Sequence, residues 1–345
     1  MNKLRIGIVG GGIRGELFTR AVLQSPFAEH AGMVEPVAEK REGLAKKYGI
    51  KTFDNLDELL AAGMDAVIVT TPDHLHKELV CCLGKQGIPM MVEKPFATTF
   101  SDALAMAKII KSHAVPLMVA FENRWNPPFQ VAKARIGQEE LGELLVANVK
   151  LNDSIYVPTK MLSWAAKSTP GWFLLPHVMD ILRWLTGREV KTVTARAVKK
   201  HLVSMGIDTI DSIQALIVWD NGATAVVETN WVLPENIPSI FDFKVSLHGS
   251  KGSIEIDLQR QLTTVAGKRY EWPGVLLTEV DGKLEGHPVW MFEHFLTKLR
   301  EKKSFSADLY DAVINTAIVE AIHKSAQLET TIDMQPYLEE IAASL

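Results

Sequence analysis

The stretch LRIGIVGGGIRG, Leu4 to Gly15, runs from an apolar strand straight into a cluster of glycines. Gly10, Gly12 and Gly15 stand at G-x-G-x-x-G spacing, and an amphipathic run begins at Ile13. In a dinucleotide site the first glycine permits a tight turn, the second lets backbone approach a pyrophosphate, and the third lets helix pack on strand. The helix that follows offers unpaired N–H groups and the positive end of its dipole to phosphates. The spacing alone also fits a glycine-rich turn with no ligand; the strand before it and the helix after it favour the nucleotide site.

Outward from that turn, the first third of the chain alternates strand-like and helix-like segments. A helix is expected over 14–24, an extended run over 33–38, and a helix to Tyr48 closed by Gly49. Residues 57–62 read as a short helix, 66–70 as a buried parallel strand, 75–86 as a helix and 90–92 as a strand. Ser101 is the expected N-cap of a helix to Lys111, and 117–121 a further strand. This rhythm predicts an α/β protein whose residues 1–122 form a Rossmann domain, a doubly wound parallel sheet.

Beyond residue 122 the pattern changes. Residues 127–137 read as helical, 144–151 as extended, and 176–185 as a helix with Pro176 in its first turn and Gly187 past its end. Long strands with hairpin signals fill 191–258, the strongest at Asn221-Gly222, and helices are expected over 290–301 and 307–327. The prediction for 123–345 is an α+β substrate-binding and oligomerisation domain with an open, mostly antiparallel sheet. A bare sheet face needs a partner, so a homodimer or homotetramer through that sheet is expected.

A chain of 345 residues has room for two domains. The net charge of −4 and the lack of a basic cluster argue against nucleic acid as a partner. No apolar stretch approaches the ~20 residues of a membrane span, and the N-terminal apolar run is too short for a signal peptide. Cys81 and Cys82 are neighbours in a helical pattern, which argues against a disulfide and suits a reducing cytoplasm. No ligand spacing for a metal is present, and none is expected.

Four groups of residues carry candidate chemistry. Glu39, read as the end of the second strand, is placed to accept hydrogen bonds from adenosine ribose hydroxyls, which favours NAD, whereas Lys40 and Arg41 can hold the 2′-phosphate of NADP. Glu93-Lys94-Pro95 leaves a short strand on the ligand side; the proline can fix the lysine's aim through a cis bond, or the tripeptide is a plain strand exit. Thr70-Thr71-Pro72 ends the preceding strand and faces the nicotinamide side, followed by His74 and by His76, which also fits a local helix-start bond. His177, read at a helix start with Asp180 one turn on, is either a neutral general base or a structural histidine.

Taken together, GIVGGGIRG (7–15), VTTPDHLH (69–76), VEKPFA (92–97), ENRWNP (122–127), PHVMDILRWLTG (176–187) and AVINTAIVEAIHKSA (312–326) resemble the Gfo/Idh/MocA oxidoreductases across almost the whole chain. The resemblance implies NAD(P)-linked hydride transfer at a sugar-like carbon, with Lys94 and His177 as catalytic residues. It implies cofactor contacts from Gly10, Gly12, Ile13, Arg14, Glu39, Lys40, Arg41, Thr70, Thr71, Pro72, His76, Glu93, Lys94 and Arg124. Asn123, Lys160, Trp164, Trp172, Phe173 and Asp180 are the candidate substrate contacts. One departure stands out: many members carry an aspartate and a glycine where this chain has Phe173 and Leu175, which makes the expected pocket more apolar. The expected activity is oxidation or reduction of a secondary alcohol or ketone of a sugar, cyclitol or related polyol. The alternatives are a glycosidase or epimerase that retains its cofactor, and a non-catalytic dinucleotide-binding regulator.

Overall fold

The structure, a computed structural model, describes residues 3–259 and 277–345, with the backbone of 265–266 and 270–271. The chain divides into two compact units. One takes in the chain up to Glu122, a later stretch ending at Val313, and Ser344–Leu345; the other begins at Asn123 and resumes from Ile314 to Ala343. The expected continuous second domain, 123–345, is therefore corrected. The helix His287–Glu301 returns to the first unit because its Phe292 packs on Phe18, with ring centroids 6.3 Å apart.

In the first unit β1 (Leu4–Val9) leads into α1 (Ile13–Gln24), β2 (Ala28–Val34), α2 (Ala38–Tyr48), β3 (Thr52–Phe53), α3 (Leu56–Ala62), β4 (Ala66–Val69), α4 (His76–Lys85), β5 (Met90–Val92), α5 (Phe100–Ser112) and β6 (Leu117–Val119). The strands pair in parallel in the order β3-β2-β1-β4-β5-β6. That is the doubly wound Rossmann order, in which ligands bind at the carboxyl ends of the strands where the order reverses, here between β1 and β4. Ile6, Ile8, Val67, Ile68 and Met91 are fully buried, as expected of strands covered on both faces.

Two local expectations shift. The second strand is Ala28–Val34, not 33–38: Pro36 follows Glu35 and cannot donate to a ladder, so the strand stops there and α2 starts at Ala38. The N-cap of α5 is Thr99, whose hydroxyl accepts from Asp102 N at 3.1 Å, rather than Ser101.

The second unit is built on a seven-stranded sheet. After α6 (Pro127–Gly137) come β7 (Leu144–Asp153), α7 (Pro170–Thr186), β8 (Val190–Val198), β9 (Ser212–Trp219), β10 (Thr224–Asn230), β11 (Phe241–Gly249) and β12 (Ser253–Asp257). The strand order is β12-β11-β7-β10-β9-β8, closed by the short strand Ile332–Asp333, and every pairing is antiparallel except β7 with β10. Alternation is regular: Ile213, Ala215, Ile217, Ala225 and Val227 are buried on one face, where α7 packs. On the other face Leu216 and Val226, cross-strand partners, remain 44% and 47% exposed.

The helix bearing His177 starts six residues earlier than expected. Thr169 caps it, accepting from Trp172 N at 3.0 Å, and Pro170 takes the first position, where no N–H is needed. Pro176 lies inside the helix, which ordinarily costs about 3 kcal/mol. Leu174, Leu175, Val178, Met179, Ile181 and Leu182 bury on either side of it and outweigh that cost. Gly187 closes α7 in the left-handed conformation at φ 66°.

Candidate active site

At the glycine turn, Gly10 adopts φ +104°, open to glycine and little else, and a Cβ on Gly15 would meet Gly10 O at 2.0 Å. Gly12, the N-cap of α1, has no heavy atom within 4 Å of where its Cβ would stand and makes no side-chain cap bond. The N-terminal N–H groups of α1 thus begin at a backbone with open space beside it, a cradle suited to phosphates. Ile13, 65% exposed, lies at the same turn.

The acid at the end of β2 is Glu35, not Glu39. Glu35 is buried; its Oε2 accepts from Gly11 N at 3.2 Å and pairs with Lys40 Nζ at 2.9 Å, while Oε1 accepts from Val37 N at 3.1 Å. Glu39 sits in the exposed first turn of α2, because the strand stops before Pro36. Arg41 donates to the carbonyls of Glu35 and Pro36 at 2.9 and 3.1 Å. Lys40 and Arg41 therefore close around Glu35. An acid following β2, linked to the glycine turn by hydrogen bond, is where a dinucleotide ribose is read.

At the end of β4, the Thr70 hydroxyl reaches the carbonyls of Val9 and Gly10 at 3.0 and 2.7 Å, tying β4 to the glycine turn rather than facing a ligand. Thr71 Oγ1, one residue on, is buried with no hydrogen-bond partner, the kind of vacancy a ligand amide or hydroxyl fills. His76 is buried: Nδ1 lies 2.8 Å from Pro95 O and Nε2 3.1 Å from Thr71 O. Burial holds its pKa below the ordinary value, against the pull of those two carbonyls and of Asp73 and Glu93. Enclosed in this way, His76 supports the strand-end loops and is not a surface for the cofactor.

Lys94 follows β5, half-buried, with a cis Lys94–Pro95 peptide. Glu93 Oε2 accepts from Lys94 N at 3.3 Å, and Glu93 Oε1 accepts from Arg14 Nε at 2.6 Å. Arg14 Nη2 donates at 2.5 Å to Glu122, and its guanidinium lies 5.2 Å from the Phe18 ring centroid. Burial would lower the Arg14 pKa, but the carboxylates of Glu122 and Glu93 overcome it and hold the group charged. Pro72, half-buried, leads into the turn Asp73–Leu75, whose His74 stands beside Asp73 at 3.6 Å.

In the second unit His177 lies within α7, half-buried, not at its start. The positive helix end is a full turn and more away, so the expected dipole effect on the imidazole is withdrawn. Its Nδ1 is 3.2 Å from the Asn123 amide nitrogen. Asp180 is bound by Arg124, with Nη2 to Oδ1 at 2.6 Å and Nε to Oδ2 at 3.0 Å, both residues nearly fully buried. The same pair turns Arg124 inward and corrects its expected role at the cofactor. Lys160 pairs with exposed Glu235 at 2.8 Å.

The aromatic candidates separate. Trp164 meets Phe173 edge-on at 6.3 Å, and Phe173 meets Trp231 edge-on at 5.7 Å. Trp172 instead stacks on His323 at 4.9 Å and is buried. Trp231 and Glu35 are the residues that sequence reasoning missed. The spacing of Glu35, directly before a proline and twenty positions after Gly15, was the available signal for one; nothing in the sequence marks the other.

A model described as an oxidoreductase family with an NAD-binding Rossmann fold matches residues 4–121, and a Gfo/Idh/MocA C-terminal domain model matches 129–255. The chain belongs to the Gfo/Idh/MocA family of oxidoreductases. It is 27% identical to the rhizopine catabolism protein MocA of Rhizobium meliloti over 66% of this chain and 71% of that one. It is 25% identical to the scyllo-inositol 2-dehydrogenase (NAD(+)) of Bacillus subtilis (strain 168), covering 92% of each. In fold it matches scyllo-inositol dehydrogenase from Lactobacillus casei, solved with NAD(H) and scyllo-inositol, at TM-score 0.81 and 16% identity over 96% of this chain and 99% of that one. Among the described residues, no helix is long and apolar enough to cross a membrane and no cluster of side chains could hold a metal.

Proposed function

We propose that this protein is an NAD-dependent dehydrogenase of a secondary alcohol on a cyclic polyol, an inositol-like or sugar ring, with Lys94 and His177 as its catalytic residues. The observation that carries the reading is an ammonium leaving β5 at the ligand end of the sheet, one strand along from a buried and unpartnered Thr71 hydroxyl at the end of β4. The residues fit NAD: Gly10 to Gly15 and the α1 N-terminus suit its pyrophosphate, Glu35 its adenosine ribose, and Thr71 its nicotinamide end. A carboxylate in the Glu35 position repels a 2′-phosphate, although Lys40 beside it softens that repulsion. When bound, NAD supplies the hydride acceptor.

The chain's own groups handle the oxygen. The Lys94 ammonium donates to the reacting oxygen and stabilises the negative charge that grows there as the hydroxyl proton leaves. His177 takes that proton in oxidation and returns it in reduction. To take the proton at Nε2 the neutral ring carries its own hydrogen on Nδ1, donated to the Asn123 amide oxygen with the amide turned, and the imidazolium so formed returns the Nε2 proton in reduction. Phe173, one helical turn before His177 and set edge-on to Trp164 and Trp231, offers an apolar surface to the C–H face of a ring. A second copy of the chain covers the Leu216 and Val226 face of the sheet, giving a homo-oligomer.

A screen of cyclitols and sugars for reduced-nicotinamide absorbance, run with NAD and with NADP, tests the reading. Net NADH formation on a cyclic polyol is expected. Turnover without net NADH would point to a retained cofactor, and tight NAD binding with no turnover to a regulator. Replacement of Lys94 by Ala should cut kcat by about a hundredfold or more while NAD affinity stays within about twofold.

A further inference from the structure

Arg14 and His76 both stand in motifs that point to cofactor contact, yet neither side chain is spent that way. Arg14 lies within the G-x-G-x-x-G turn, but its guanidinium is committed to two buried carboxylates, Glu93 and Glu122. The first of these accepts through its other oxygen from the main-chain N–H of Lys94. Arg14 thus reaches Lys94 through one intervening side chain: guanidinium, carboxylate, lysine amide. On the other side of Lys94, His76 Nδ1 meets the carbonyl of Pro95, and its second nitrogen meets the carbonyl of Thr71 at the end of β4. A carbonyl only accepts, so the neutral ring donates to one of the two, and the shorter contact takes the hydrogen. The backbone on either side of Lys94 is therefore held by a different remote residue. Proline has no N–H, so its carbonyl is the one main-chain group by which a donor can fix that residue.

We propose that Arg14 and His76 are positioning residues that set the direction of Lys94 from its two flanks. The proposal rests on the reading of Lys94 as the group that binds the reacting oxygen. An ammonium on four rotatable carbons is useful only if its Cα is fixed, because a displacement of about 1 Å can cost about a hundredfold in rate. Arg14 suits its task because its fork engages both carboxylates at once; a lysine there supplies one charge point and cannot span both.

The experiment uses the full chain in four forms: wild type, Arg14→Lys, His76→Leu and His76→Asn. Arg14→Lys keeps a cation beside the two carboxylates, so it tests geometry without leaving them bare. His76→Asn places an amide N–H near the Nδ1 position, and His76→Leu removes both nitrogens. Two readouts are taken. In the first, kcat, KM and the Kd for NAD are measured. In the second, needing no turnover, the apo proteins are labelled with an amine-selective reagent, and the rate at Lys94 is compared by peptide mass spectrometry with exposed Lys51 and Lys108. The expected result is a kcat loss of about a hundredfold in Arg14→Lys and His76→Leu, with NAD Kd within about twofold. The Lys94 labelling rate changes severalfold in both while Lys51 and Lys108 do not, and His76→Asn restores both readouts.

Weakened NAD binding with unchanged kcat and unchanged Lys94 labelling would overturn the proposal and make Arg14 and His76 cofactor ligands. Should wild type oxidise no polyol, the proposed function fails by itself and the labelling arm still decides: unaltered Lys94 reactivity in both variants refutes positioning, and altered reactivity with normal reference lysines supports it.

Discussion

Lys94 and His177 are held in opposite ways. Lys94 leaves a three-residue strand into a loop, and its neighbours are fixed by side chains from distant parts of the first unit. His177 sits inside a 17-residue helix, where its backbone is bonded to its own helix and one amide touches its ring. A loop site inherits its geometry from several remote residues and is easily disturbed at any of them. A helix site inherits it from the helix and fails mainly when the helix itself is loosened.

The largest expected effect lies on the helix side. Asp180→Ala removes the buried carboxylate that pairs with the Arg124 guanidinium, and should cost about 3–5 kcal/mol, read as a lower urea midpoint. A small loss would show that α7 does not depend on that pair, and the contrast between the two sites would weaken. Next comes Glu35→Ala on the strand-end side. It should weaken NAD binding by about tenfold and narrow the preference for NAD over NADP, at a stability cost of about 1–3 kcal/mol because the Gly11 and Val37 N–H groups lose their acceptor. Unaltered cofactor preference would return the ribose to Glu39.

Acid is a third probe. Burial pushes His323 and His30 down to about 4, against 6.5 in the unfolded chain. Between those values the unfolded state binds more protons, so stability falls as pH falls, with a slope approaching about 1.4 kcal/mol per pH unit for each histidine. His323 accepts from the Thr169 hydroxyl through Nε2, donates to Val319 O through Nδ1 and stacks on Trp172, so its protonation loosens the start of α7. A His323→Gln variant should flatten the pH dependence of the urea midpoint. The smallest effect is Thr169→Val, which removes the α7 N-cap and should cost about 1 kcal/mol.

The two regions were also unequally legible in the sequence. The turn from β1 to α1 could be read because glycine spacing at a strand end dictates backbone directly: φ +104° at Gly10 and the 2.0 Å approach at Gly15 admit no side chain. The E-K-P and T-T-P turns were found for the same reason, each placed by the strand before it. Glu35 was missed because the strand was extended over Pro36, although a proline cannot continue a ladder. The start of α7 was missed because two prolines compete for one first-turn position. Thr169-Pro170 carries the cap signal, and only the buried apolar run across Pro176 shows that the helix passes through it. Arg124 with Asp180, 56 residues apart, and His76 with two backbone carbonyls follow from tertiary structure, which no local pattern records.

The proposal to test most directly is that Lys94 and His177 are both catalytic in the same reaction. A double-variant cycle measures it: kcat for Lys94→Ala, His177→Ala and the combined variant on the best cyclic polyol, with NAD affinity followed for each. Groups that serve one transition state are strongly non-additive, so the double variant should lose little more than the worse single variant. Losses that multiply, or a His177→Ala enzyme with wild-type turnover, would contradict the account.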